Sequence, residues 1–450
     1  MIIKNRTGMR TAVALGSLCL SQGAFAGGYQ IMEKSTSDMG RAFSGGAAIA
    51  EDATTIGSNP AGMALLKRSE FSLSLSLVSG DLDVDIEQAG VVAGQLGLQG
   101  TDGNRSSGNA APGNVLIPAA YGVIPINEQI AVGLGVFSNF STATVYDDAF
   151  QGSILATESD VRTINFNPSV SYRVNHMVSL GFGFNAVMAE ATLGSSNPAL
   201  TLTQDAEGNP RPIPNGGKAG VSEVQGEDWG YGWNIGMMFE LADNARIGVS
   251  YRSAVEFKLE GETKFKNLPQ GLQYGTLQNF DANAPLELPQ LASLSGYYEF
   301  VPAWALSADI TYTGWSNFES LDVFRSDSGN LASQVKEDWK DSYRYALGLT
   351  HQYNGDLKLR TGLAYDQSPI TDETRTLRIP TADYVWLSLG AQYVINDSLV
   401  IDGAYAKVMM EEAELSDERT FVGQPDLVAI ADGKANLELD IFSIQLSYRL

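Results

Sequence analysis

The chain has 450 residues, of which 52 are acidic and 29 basic, for a formal net charge of −23. An acidic chain of this kind is unsuited to nucleic acid, because phosphate binding needs clustered cations. A single cysteine, Cys19, and two histidines, His176 and His351, exclude a disulfide framework, a thiolate metal site and a His-rich metal or proton-relay site. No metal and no other cofactor is therefore expected.

Taken in chain order, the first element is a secretory signal over residues 1–26. Lys4, Arg6 and Arg10 form its positive region, Thr11 to Leu20 a short apolar stretch, and Ala24-Phe25-Ala26 a cleavage site. The apolar stretch falls short of the roughly 20 residues that a spanning helix needs. Residues 27–68 follow as a plug-like segment rich in Gly and Ala, helical around Ala42 to Ala53. Asn59-Pro60 ends that helix, because the residue before a proline is pushed out of the α region.

From 69 to the end the pattern is strand-like. Phe71, Leu73, Leu75 and Leu77 alternate with Ser72, Ser74 and Ser76, and this period of two recurs along the chain. The alternating runs lie at about 69–86, 115–126, 129–146, 161–175, 177–193, 229–241, 245–262, 288–300, 303–315, 340–353, 357–368, 383–395, 398–410 and 436–449. Short turns such as Asn127-Glu128, Asp243-Asn244 and Asn354-Gly355 alternate with long polar loops at 87–114, 147–160, 194–228, 263–287, 316–339, 369–382 and 411–435. Short turns at one rim and long loops at the other mark an outer-membrane barrel, and Trp229, Tyr231, Trp233, Trp304, Trp315, Trp339 and Trp386 near strand ends suit its aromatic girdles. The fold expected is all-β: a membrane-spanning antiparallel barrel of about fourteen strands over 69–450.

Two places depart from the regular wall. The alternation of Val132, Leu134 and Val136 stumbles at Phe137-Ser138-Asn139-Phe140-Ser141, as a bulge or kink would make it do. In the tenth strand, Tyr343, Tyr345, Leu347 and Leu349 share the lipid-facing parity, which turns Lys340, Ser342 and Arg344 toward the lumen. Arg173 and Arg252 are further cations of luminal parity. No G-x-S-x-G, H-E-x-x-H or P-loop pattern is present, so no catalytic residue is assigned and the protein is not read as an enzyme.

The chain resembles the FadL/TodX family of outer-membrane transporters for long-chain fatty acids and other hydrophobic compounds. The resemblance runs over nearly the whole chain after the signal. It is carried by Gly28-Tyr29-Gln30, Gly40-Arg41-Ala42, Ala47 to Asp52, Asn59-Pro60-Ala61, the run from Asn167 to Arg173, Trp229 to Asn234, Ser250-Tyr251-Arg252-Ser253, Tyr312 to Ser316, Trp339 to Arg344 and Tyr365 to Pro369. It implies a fourteen-stranded barrel with an N-terminal, partly helical hatch inside the lumen, in the outer membrane of a Gram-negative bacterium. It also implies that Asn59, Pro60 and Ala61 lie at a gap in the wall, and that Ser138, Asn139, Phe140 and Ser141 form an inward kink opening a lateral window. Lys340 matches a position that looks like a head-group ligand. Lys340, Arg344 and Ser342 are thus the candidate ligand contacts, unless the two cations pair with carboxylates such as Glu33 or Asp366.

The function this implies is passive transport: capture by the loops at 194–228 and 263–287, an interior pocket, hatch movement and lateral exit. Long-chain fatty acids are the first choice of ligand, aromatic hydrocarbons or alkanes the second. A closed structural or adhesive barrel is the alternative of another class. The expected surroundings are outer-membrane lipid and lipopolysaccharide, around a monomer.

Overall fold

Each alternating run becomes one stave of a closed wall. The structure, a computed structural model, describes residues 28–93, 98–100, 106–110, 113–147, 150–204, 210–268 and 277–450. The signal-peptide reading of 1–26 lies outside them. Among the described residues fourteen antiparallel strands form the wall: β1 (Glu70–Ala93), β2 (Val115–Pro125), β3 (Ile130–Phe137 and Ser141–Val145), β4 (Glu158–Arg173), β5 (Val178–Gln204), β6 (Pro210–Ala242), β7 (Ala245–Arg252 and Val255–Lys266), β8 (Phe280–Leu288 and Leu291–Val301), β9 (Trp304–Thr313), β10 (Ser342–Gln352), β11 (Leu357–Asp366), β12 (Tyr384–Asn396), β13 (Leu399–Met410 and Ala413–Phe421) and β14 (Gln424–Arg449).

Each strand pairs with the next, and β14 returns to β1 in a register running from Glu70↔Arg449 to Ala93↔Leu427. Closure leaves no edge. That matters in lipid, where an unpaired backbone group costs several kcal/mol. Among the described residues no helix is long and apolar enough to cross a membrane, so the crossing is made by strands.

The faces follow the sequence period. In β1, Phe71, Leu73 and Leu75 stand exposed on the outside, while Ser72, Ser74 and Ser76 are buried within. The inward serines bind one another and the N-terminal segment: Thr36 Oγ1 lies 2.8 Å from Ser74 Oγ, and Ser76 Oγ donates to the Glu33 carbonyl at 3.1 Å. Apolar groups outside and polar groups inside are the inverse of a soluble sandwich.

Several of the expected long loops are structured. Much of 194–228 continues β5 and β6 as a tall hairpin, with 205–209 outside the described residues. Part of 263–287 extends β7 to Lys266 and starts β8 at Phe280, and 411–435 carries the upper half of β13 and the start of β14. A ladder above the membrane needs no apolar face, so its sequence reads as polar loop. The segment 369–382 instead folds inward, burying Ile370, Arg375, Leu377, Arg378 and Ile379.

The N-terminal segment lies inside the barrel. Ser35 caps a short helix, α1 (Thr36–Met39), accepting from Asp38 N at 3.2 Å. A second, α2 (Thr55–Ser58), runs into a 3-10 turn at Pro60–Leu65 capped by Asn59. The run Ala42 to Ala53 is mostly turns rather than the helix expected, and Ala42, Phe43 and Ala50 sit in the left-handed region. The wall makes room with glycine. A Cβ on Gly236 would come within 1.8 Å of Asn59 Oδ1, and one on Gly362 within 2.1 Å of the Arg41 backbone.

Candidate functional site

The path through the lumen is built from three things: an anchored hatch, a strand that leaves the wall, and an apolar chamber above both. Glu51 is the anchor. Its carboxylate meets Arg41 at 2.5 Å, Lys358 of β11 at 2.7 Å and Arg360 of β11 at 2.9 Å. Arg360 reaches on to Asp402 of β13 at 2.7 Å. Burial alone would raise the Glu51 carboxyl, but Arg360, Lys358 and Arg41 outweigh it and hold the group well below the usual carboxylate range.

Asn59 fixes the other end of the hatch. Its Oδ1 accepts from Ala61 N at 3.0 Å, and its Nδ2 donates to the Ala47 carbonyl at 2.7 Å and the Met237 carbonyl of β6 at 3.0 Å. Asn59, Pro60 and Ala61 therefore press on the glycines of β5 and β6. A Cβ on Gly181 would lie 2.2 Å from Ala61 N.

A different part of the N-terminus meets the break in β3. The β2–β3 ladder ends at Ala120↔Val136. Phe137, Ser138, Asn139, Phe140 and Ser141 are all buried, which five successive residues of an ordinary wall strand cannot be, because alternate side chains face lipid. The backbone bonds of the kink are taken by the hatch: Ile31 N donates to the Asn139 carbonyl at 2.7 Å, and Ser141 N to the Tyr29 carbonyl at 2.9 Å. Gln30 and Phe140 face each other across this bridge.

Tyr29 closes an aromatic cage over the kink. Its ring lies 4.7 Å from Trp315, 5.7 Å from Trp339 and 5.9 Å from Phe140. Above the cage an apolar chamber, with free space of about 50 Å³, is bounded by Tyr29, Val161, Leu259, Leu286, Phe318 and Ile379. Ligand pockets usually measure about 300–1,000 Å³, so side chains here must move to admit a long molecule.

The charged groups at the chamber come from the loops. The inward loop after β11 brings Arg378, whose Nη1 donates to Ser159 Oγ at 3.1 Å and to the Glu158 and Gly194 carbonyls at 3.2 and 3.3 Å. Its Nε finds no partner among the described residues. Opposite stands Glu337, which accepts from Trp339 Nε1 at 2.8 Å. Burial pushes Glu337 up to about 8, and burial reinforced by Arg419 pulls Arg378 down to about 9.

Of the tenth-strand candidates, Ser342 and Arg344 are buried in the lumen and Lys340 is exposed. β10 begins at Ser342, so the parity argument stops two residues short of Lys340. Arg344 Nε lies 3.7 Å from Asp366, its Nη2 donates to the Ala42 carbonyl at 2.8 Å, and its guanidinium sits 5.6 Å from the centroids of Phe43 and Trp386. Its Nη1 has no hydrogen-bond partner among the described residues. Arg173 is taken up by Glu240. Arg378 and Glu337 escaped sequence reasoning because a loop residue has no parity to betray its direction.

The sequence pattern of the family described as outer membrane protein transport protein (OMPP1/FadL/TodX) matches residues 17–450. The chain belongs to this family. A long-chain fatty acid transport protein of Escherichia coli O6:H1 (strain CFT073) is 35% identical to this FadL/TodX member over 409 residues, covering 87% of this chain and 89% of that protein. The crystal structure of a Pseudomonas aeruginosa FadL homologue superposes with a TM-score of 0.82 at 24% identity, over 94% of this chain and 99% of that one. The Pseudomonas putida toluene transporter TodX gives 0.64 at 16% identity, over 93% and 99%. This member of the FadL/TodX family is an outer-membrane transport protein of a Gram-negative bacterium, built as a hatch-bearing fourteen-stranded barrel.

Proposed function

We propose that the chain carries long-chain fatty acids inward and releases them sideways into the bilayer. The supporting observation is the chamber: apolar on nearly all sides, with the buried guanidinium of Arg378 at its edge. Among the described residues no carboxylate lies within 4.0 Å of that guanidinium. An acyl chain lies against Leu259, Leu286 and Phe318, and its carboxylate takes the free Nε of Arg378. Lys340 draws anions to the rim, and Arg344 and Ser342 offer a deeper contact. Leaving through the gap beside Ser138–Ser141 favours the acyl chain, since each methylene is worth about 0.8 kcal/mol in lipid rather than water. The hatch segment 27–68 is the moving part, and Asn59-Pro60-Ala61 its pivot. No step in this route is catalytic, and one protomer contains the whole path.

The test compares palmitate with its methyl ester on purified protein. Arg378→Gln should weaken palmitate binding by about 1.5–3 kcal/mol, the worth of a charge-assisted contact. The ester should change less than twofold. Equal losses for acid and ester would show that Arg378 does not read a carboxylate, and the hydrocarbon reading would then gain.

A further inference from the structure

Beneath the aromatic cage the inner wall carries a row of buried amides on three adjacent strands. Asn165 Nδ2 of β4 donates to Asn185 Oδ1 of β5 at 2.9 Å, Asn167 Nδ2 to Asn234 Oδ1 of β6 at 2.8 Å, and Asn185 Nδ2 to Asn234 Oδ1 at 3.2 Å. Among the described residues Asn165 Oδ1 and Asn234 Nδ2 find no partner. Arg252 of β7 ends the row. Its Nη1 donates to Asn185 Oδ1, its Nη2 donates to the Gly57 carbonyl at 3.2 Å, and its guanidinium lies 5.5 Å from the Phe137 centroid.

Arg252 is 8% exposed, yet among the described residues no carboxylate lies within 4.0 Å of it. A buried cation held only by neutral acceptors is under-compensated, because amides and carbonyls lack the charge that removal from water demands. A second cation stands close by. Lys34 of the hatch donates to Asn139 Oδ1 of the kink at 3.1 Å and lies 5.8 Å from the same Phe137 ring.

A cavity of about 10 Å³ lies beside Arg252, so side chains there must move to admit a head group. Asn139, Phe140 and Thr163 bound it at the kink of β3, and Val255, Leu288 and Pro289 bound it on the far side. There β7 is interrupted between Arg252 and Val255 and β8 between Leu288 and Leu291. The cavity has a polar, cationic floor and apolar flanks. Phe140 forms part of its boundary and Tyr29 part of the upper chamber's, so the Tyr29–Phe140 contact stands between the two.

We propose that Arg252, with the amide row, is a second carboxylate station, a waypoint between the apolar chamber and the kink. The proposal rests on the fatty-acid reading of the upper chamber. There the chain is gripped and the head group first held; here the head group is handed across while the chain threads toward the gap. A carboxylate supplies the charge Arg252 lacks.

The experiment uses palmitate labelled with carbon-13 at its carboxyl and the purified mature chain in non-ionic detergent. Wild type should show two bound carboxyl resonances. Arg252→Gln should abolish one, with at least a tenfold loss of affinity at that station; Arg378→Gln should abolish the other. Arg252→Lys should keep both. Hexadecanol, which has the chain without the charge, should bind Arg252→Gln within twofold of wild type. The wild-type count needs no variant to fold. A single bound resonance that depends on Arg378 would overturn the second station and leave the fatty-acid reading standing. Absence of any bound palmitate would overturn that reading itself. Equal loss in Arg252→Gln and Arg252→Lys, or parallel loss of palmitate and hexadecanol, would reduce Arg252 to a strut for the hatch.

Discussion

Glu337 and Arg378 face one apolar chamber, and their surroundings decide what that chamber holds. With its carboxyl raised to about 8, Glu337 is neutral at pH 7 and leaves Arg378 charged and available. As pH rises through about 8, Glu337 becomes an anion beside the same guanidinium and opposes an incoming carboxylate. Palmitate affinity should therefore fall between pH 7 and 9, and Glu337→Gln should remove the part of the fall centred near 8 while leaving the part near 9 that comes from Arg378 losing its proton; a titration of binding against pH checks both. The linkage to stability has a definite sign. A carboxyl whose folded value of about 8 exceeds its ordinary 4.5 adds stability that is fully present below 4.5 and lost as pH rises through 8. Thermal unfolding of wild type should fall relative to Glu337→Gln across that window. Arg378, pulled down to about 9, keeps most of its charge up to pH 8.

At the scale of elements, the hatch and the wall are separable. Away from the kink of β3 the wall satisfies its own backbone, whereas the hatch depends on its contacts with the wall. Glu51→Ala would leave Arg41, Lys358 and Arg360 without their shared anion, and breaking buried pairs costs about 3–5 kcal/mol. Limited proteolysis should then cut the segment 28–65 while the barrel keeps its heat-resistant mobility on a gel. Unchanged protection of the hatch would show that Asn59 and the glycine contacts hold it without the ionic anchor. The strands themselves were largely readable, because a wall with lipid on one side and a polar lumen on the other imposes period two on Phe71 to Leu77 and on Tyr343 to Leu349. The kink was readable for the converse reason: Phe137 and Phe140 cannot both face lipid on one regular strand. The buried loop with Leu377 and Arg378 was not. Its burial depends on the barrel closing around it, and nothing local marks it. Lys340 was misplaced by extending strand parity beyond the point where the strand begins. The resemblance places Asn59-Pro60-Ala61 at the gap in the wall, and it is Tyr29 to Ile31 that make the backbone bridge to the kink, a pairing of segments about 110 residues apart that carries no local signal.

At the scale of the whole molecule, lateral release requires one movement. Hydrophobic cargo enters from the loops, crosses a narrow apolar chamber and leaves through the wall where β3 turns inward, and the N-terminal bridge must part to let it out. The alternative is a route down the lumen past the hatch to the periplasm. The two differ at Gln30 and Phe140. These residues form a non-hydrogen-bonded antiparallel pair, since the flanking Ile31–Asn139 and Ser141–Tyr29 bonds bracket them. Such pairs have a Cα separation of about 4.5 Å, within disulfide range. Cys19 is the only native cysteine. The most direct measurement is palmitate uptake by cells whose sole transporter is the Gln30→Cys/Phe140→Cys variant, oxidised and then reduced, with each single variant as control. If cargo leaves at the kink, the disulfide cuts uptake at least tenfold while palmitate still binds at the cell surface, and reduction restores uptake to the level of the single variants. Uptake by the cross-linked protein at the reduced rate would contradict lateral exit at the kink.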